Sequence, residues 1–96
     1  MATVFYWSGS WVSGGGDPPL ATGKSHNWAA WGFNYGDVIN ITAHSINGGN
    51  GEPVILSVEN IAIENDASGR RVYFTVRNTG SDYTRGYAIG FSYISA

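Results

Sequence analysis

The residues equipped for chemistry are few, and their spacing argues against catalysis. His26 and His44 are the only histidines in 96 residues. A nucleophilic triad would take His44 as base, Asp37 or Glu52 to orient it, and a serine as nucleophile. No serine stands in a Gly-x-Ser-x-Gly turn, and nothing in the spacing links either histidine to a carboxylate. Glycoside hydrolysis needs two opposed carboxylates. Most of the seven acidic residues fall at expected turns or strand ends instead. The chain therefore reads as a protein without enzymatic activity.

Metal and cofactor chemistry is equally thin. The absence of cysteine excludes thiolate ligands, disulfides and cysteine nucleophiles. "ENDASG" (64–69) opens like a calcium loop, but the closing bidentate glutamate would fall at Thr75. A hairpin turn explains it better: Asn65 and Asp66 tolerate left-handed geometry, and Gly69 supplies a positive φ. "SGGGDPP" (13–19) and "NGGNGE" (47–52) lack the Lys-Ser/Thr and the helix of a phosphate loop, and the first reads as a flexible loop. No metal and no cofactor are expected.

The strongest chemical signal is aromatic. "VFYWSGSW" holds Trp7 and Trp11, and "KSHNWAAWGFNYGD" holds Trp28 and Trp31, so the four tryptophans all lie in the first third. A core this small accommodates two or three. Trp28 and Trp31 have opposite strand parity, and a bulge at Gly9 would turn Trp7 or Trp11 outward. Trp31 shares its parity with Phe33 and Tyr35, so it is expected in the core. Trp28, beside Ala30, Gly32 and Asn34, is expected as an exposed platform. An exposed indole ringed by short polar groups suits a sugar, whose C–H face stacks on the ring while its hydroxyls meet amides and imidazole. The candidate binding residues are Trp11, His26, Asn27, Trp28 and Asn34. The same surface would serve a protein partner, since Trp and Tyr dominate interface hot spots.

A nucleic-acid reading attaches to Arg71, Tyr73, Thr75 and Arg77, which alternate onto one outward face. The net charge of −2 and the five basic residues argue against it. Gly86, Ala88, Gly90 and Ser92 give the last strand a flat outer face. Tyr73 lying over a cross-strand glycine would cover it, or a second subunit would.

These residues must be positioned by strands. "RRVYFTVRN" puts Val72, Phe74 and Val76 on one face, "GDVINITAHSI" does the same for Ile39 and Ile41, and "GYAIGFSYI" for Tyr87, Ile89 and Phe91. "PVILSVENIAIEN" changes parity between Val58 and Ile61, and a bulge near Glu59-Asn60 would return both sets to the core. About six strands are expected, over 2–12, 27–34, 37–46, 53–64, 70–78 and 84–95, separated by glycine-rich turns. The expected fold is all-β, a small antiparallel β-sandwich of immunoglobulin-like or jelly-roll-like type forming a single domain over 1–96. Its core would hold Ile39, Ile41, Leu56, Val58, Val72, Phe74, Val76, Ile89 and Phe91. No apolar run reaches the ~20 residues of a membrane helix, and the N-terminus lacks a secretory pattern. A cytoplasmic location without membrane insertion is the expectation, with secretion by another route left open.

The stretches "LSVENIAI", "GRRVYFTVRNTGSD" and "GYAIGFSYI", from Leu56 to Tyr93, resemble the bacterial cell-adhesion-related CARDB domains and, more loosely, fibronectin type III modules. The resemblance implies an immunoglobulin-like sandwich and leaves the role open. Two roles follow from the aromatics. The leading one is metal-independent, lectin-like glycan binding through the N-terminal aromatics. The other is a structural or self-assembly module that buries those aromatics and the flat last strand in a homo-oligomer or partner interface.

Overall fold

A computed structural model describes residues 3–12, 18–33, 38–67 and 69–95. The described residues are all-β and antiparallel: β1 (Thr3–Val12), β2 (Ser25–Phe33), β3 (Val38–Gly48), β4 (Leu56–Asp66), β5 (Gly69–Asn78) and β6 (Thr84–Ser95). Each boundary lies within three residues of the range the turn signals mark. Among these residues no helix is long and apolar enough to cross a membrane.

The strands form two three-stranded sheets, ordered β1-β6-β3 and β2-β5-β4. Only β4 leads to its successor within one sheet; the other connections pass from sheet to sheet. The central strands β5 and β6 carry the strictest alternation and the deepest burial, because each is flanked on both sides. Val72, Phe74 and Val76 from β5 and Tyr87, Ile89 and Phe91 from β6 form one buried cluster with Ile41 and Leu20. Phe74 and Phe91 meet edge to face across the sheets, with centroids 5.6 Å apart. Ile39, Leu56 and Val58 pack on this cluster half-buried, so the core is the one the period-two pattern marks.

Three expectations about strand environment change. The bulge in β4 is present: register slips between Glu59 and Ala62, and Asn60 takes a φ of 55°. Asparagine is among the few side chains that accept this left-handed conformation. Yet Ile61 and Ile63 stay 47% and 44% exposed, so the bulge does not return them to the core. Ile63 opposes buried Val72, but all of β4 from Asn60 onward is exposed.

Tyr73 does not cover the glycines of β6, because β5 and β6 belong to different sheets. Its cross-strand neighbours are Ala29 and Ala62. The bulge expected at Gly9 is also missing, since β1 pairs with β6 in unbroken register from Thr3 to Val12. In the β4–β5 hairpin Gly69 takes the positive φ, at 136°, while Asn65 and Asp66 do not leave the ordinary region.

Phe74 is 3% exposed at the centre of the inter-sheet contact. Phe74→Ala should lower stability by about 3–5 kcal/mol, the range for deleting a buried aromatic. A urea titration followed by circular dichroism reads this directly, and an unshifted midpoint would contradict the packing.

Candidate ligand-binding site

The phase of β2 is set by its pairing with β5. Trp28 opposes buried Phe74, Ala30 opposes Val72 and His26 opposes Val76, so the even residues face inward. Trp31 opposes Arg71 on the other face and is 66% exposed. The two tryptophans do point to opposite sides, but their roles are inverted. Trp28 is half-buried and packs on the core, and Trp31 is the exposed indole.

Inward, His26 and Trp28 converge on the phenol of Tyr87. Trp28 Nε1–H donates to Tyr87 Oη at 2.8 Å, and His26 Nδ1 lies 2.7 Å from the same oxygen. An indole nitrogen can only donate. The Tyr87 oxygen accepts from it and also hydrogen-bonds His26 Nδ1, the direction of that second bond being set by the imidazole tautomer. Trp11, opposite Tyr87 in the β1–β6 register, completes the cluster. Its ring stands 4.5 Å from His26, edge-on, and 5.2 Å from Tyr87. Strands from both sheets thus hold three rings around one buried hydroxyl. Burial pushes the Tyr87 phenol up to about 12, against the opposing pull of the Trp28 hydrogen bond.

Trp11 and His26 also line a cleft of about 510 Å³ with Pro18, Pro19, Leu20, Ala21, Lys24 and Ser25. Its walls are mostly apolar, with imidazole, hydroxyl and ammonium as polar groups, the usual make-up of a small-molecule site. The wall at 18–24 is fixed in place. Leu20 is 3% exposed and exchanges two backbone hydrogen bonds with Thr84, at 2.9 and 3.0 Å. Fully buried Asn78 ties the next turn: its Nδ2 donates to Leu20 O at 3.1 Å and to Asp82 O at 2.7 Å. Gly23 N–H donates to Asn78 O, and Asn78 N–H donates to Lys24 O. Gly23 has a φ of 79°, the left-handed geometry this turn needs to deliver Lys24 to the rim.

Asp82 anchors the neighbouring loop by accepting from the backbone of Asn50, Glu52 and Tyr83 at 2.6, 3.1 and 2.9 Å. Gly80 lies so close to Pro53 that a Cβ there would strike its carbonyl oxygen. Of the 13–19 loop read as flexible, Pro18 and Pro19 are described, and both belong to the cleft wall.

Of the sequence-marked residues, Trp11, His26 and Trp28 come together. Asn27 does not: it faces outward, where its Oδ1 accepts from Thr75 Oγ1 at 2.9 Å. Asn34 lies outside the described residues, as does Asp37. His44 sits on the exposed face of β3, with Nε2 3.2 Å from Thr42 Oγ1. Among the described residues no three His, Asp or Glu side chains gather as a metal site. Arg71, Tyr73, Thr75 and Arg77 do share the outward face of β5, but both arginines are paired. Arg71 meets Glu64 at 3.1 Å and Asp66 at 3.8 Å, and Arg77 meets Glu59 at 3.1 Å. The Arg77 hydrogen bond, helped by Ser57, holds the Glu59 carboxyl below its ordinary value.

Sequence reasoning missed Tyr87, Leu20 and Lys24. A tyrosine in phase with Ile89 and Phe91 was the available signal for the first, since a buried hydroxyl requires partners. No protein-family model matches this chain, and no curated protein or solved structure matches it.

Tyr87→Phe should cost about 1–3 kcal/mol at neutral pH, because it removes the partner of the Trp28 N–H and of His26 Nδ1. The phenol ionises later in the folded chain than at its ordinary 10.0. Its contribution is therefore intact below about pH 10 and is lost as pH rises toward about 12. Melting curves across that window should fall more steeply for the parent protein than for Tyr87→Phe. Parallel curves would contradict the buried phenol.

Proposed function

We propose that the chain is a small β-sandwich that binds a glycan in the cleft walled by Trp11 and His26, without metal and without catalysis. The observation that carries this reading is the cleft itself. An indole fixed against His26 and Tyr87 borders a space of about 510 Å³ that also holds Ser25 and Lys24. A pyranose presents a C–H face and a hydroxyl edge, and the cleft offers an apolar wall and short polar groups in the same order. A rigid ring loses little entropy on binding, which favours affinity.

The strand order supports an immunoglobulin-like sandwich. The neighbours β2-β5-β4 and β3-β6 follow the B-E-D and C-F order of immunoglobulin sheets. Here β1 occupies the place beside β6 that strand G takes there. The likeness of 56–93 to CARDB and fibronectin type III modules agrees with that order. The paired arginines of β5 weaken a nucleic-acid reading, because their charge is already met by Glu59, Glu64 and Asp66.

A second reading, self-assembly, attaches to Trp31. Its indole is 66% exposed beside Arg71, with Tyr73 38% exposed on the same sheet face. Such a face suits an interface between subunits.

A glycan array paired with sedimentation velocity separates the two. Under the first reading Trp11→Leu removes sugar binding by at least roughly tenfold, about 1.4 kcal/mol, and Trp31→Ala leaves it unchanged. A stable oligomer that ignores every sugar and dissociates in Trp31→Ala would establish the second reading and end the first.

A further inference from the structure

Resting on the glycan reading, we infer that the cleft selects sugars bearing a carboxylate, with Lys24 as the counter-charge. Lys24 is the only lysine in the chain. The arginines are engaged elsewhere: Arg71 and Arg77 in ion pairs, and Arg85 over the Tyr83 ring at 5.3 Å. Arg70 also has a partner. Among the described residues no ion pair involves Lys24, and no carboxylate lines the cleft. Among the described residues Lys24 is thus the one Lys or Arg that lines the cleft, and the others that line it are apolar or carry a hydroxyl or imidazole.

Its position is built. Lys24 N–H donates to Ala21 O at 3.0 Å and its carbonyl accepts from Asn78 N–H at 3.0 Å. These bonds close the turn and hold the lysine backbone on both sides. Arg77 Nη1 adds a bond to Gly23 O at 3.1 Å, one residue before. The residue lines the cleft beside Ser25 and His26.

A carboxylated pyranose fits this order of groups. Its ring lies on Trp11, its hydroxyls reach Ser25 and His26, and its carboxylate meets the ammonium. A lysine serves here as a point charge with three donors, and does not require a bidentate planar anion.

The test compares methyl β-D-glucuronide with methyl β-D-glucoside, which differ only in a carboxylate for a hydroxymethyl, and repeats this with the galacto pair. Calorimetry on the full chain should give about fivefold tighter binding of the acid, the gain one exposed ion pair supplies. The gap should shrink with added salt, vanish in Lys24→Gln and persist in Lys24→Arg. Lys24 is exposed, so melting temperatures of both variants should match the parent. Equal affinity for acid and neutral sugar in the parent would overturn the carboxylate assignment while leaving the glycan reading intact. Selectivity that survives Lys24→Gln would overturn the role of Lys24. Displacement of the glucuronide by acetate at equal concentration would show a site for any carboxylate and overturn the sugar requirement. Binding of neither pair would overturn the inference and count against the glycan reading as well.

Discussion

A buried hydroxyl must find partners, and the Tyr87 phenol is the point on which this end of the molecule is organised. It has no solvent exposure, so its oxygen cannot turn to water. Trp28 and His26 of the opposite sheet satisfy it, while Trp11 of the adjacent strand closes over its ring. That requirement couples β1, β2 and β6 and fixes the side chains that border the cleft. An apolar residue at this position would pack the core but would remove the hydrogen-bond partner that the indole and the imidazole share.

The cleft owes its other wall to a second polar centre. Asn78 is as buried as Tyr87 and hydrogen-bonds both the turn at 20–24 and the turn at 78–82. Asp82 extends the same logic to the loop at 50–52. Three loops at one end are thus tied to each other through two side chains. Buried polar networks of this kind rigidify when every member is satisfied. Amide and carboxylate together tie these loops into one border of the cleft.

Strand phase was readable where alternation was strict. Val72, Phe74 and Val76 announce the buried face of β5, and the parity change after Val58 announces the bulge at Asn60. The phase of β2 was not readable, because aromatics occupy both faces of "NWAAWGF" and bulk favoured the wrong one. Register with β5 decides it, and that pairing places Trp28 against Phe74 across the sheet. Sheet membership has no local signal: alternation marks Tyr73 as outward-facing, and only the strand order separates β5 from β6. The residues of the candidate site were half legible. Trp11, His26 and Trp28 stood out by type, but their common partner Tyr87 lies 61 residues from His26 and 59 from Trp28. Leu20 and Lys24 sit in a turn whose placement depends on Asn78, a contact no local pattern encodes.

The central claim is that the ligand meets the cleft and not the exposed indole of β2. A proton–nitrogen correlation spectrum resolves the Nε1–H resonances of the tryptophans. Titration with methyl β-D-glucuronide should shift the Trp11 indole and the backbone amides of Lys24, Ser25 and His26, with the Trp31 indole unmoved. A shift confined to Trp31, Arg71 and Tyr73 would contradict the account and move the binding surface to the outer face of the other sheet.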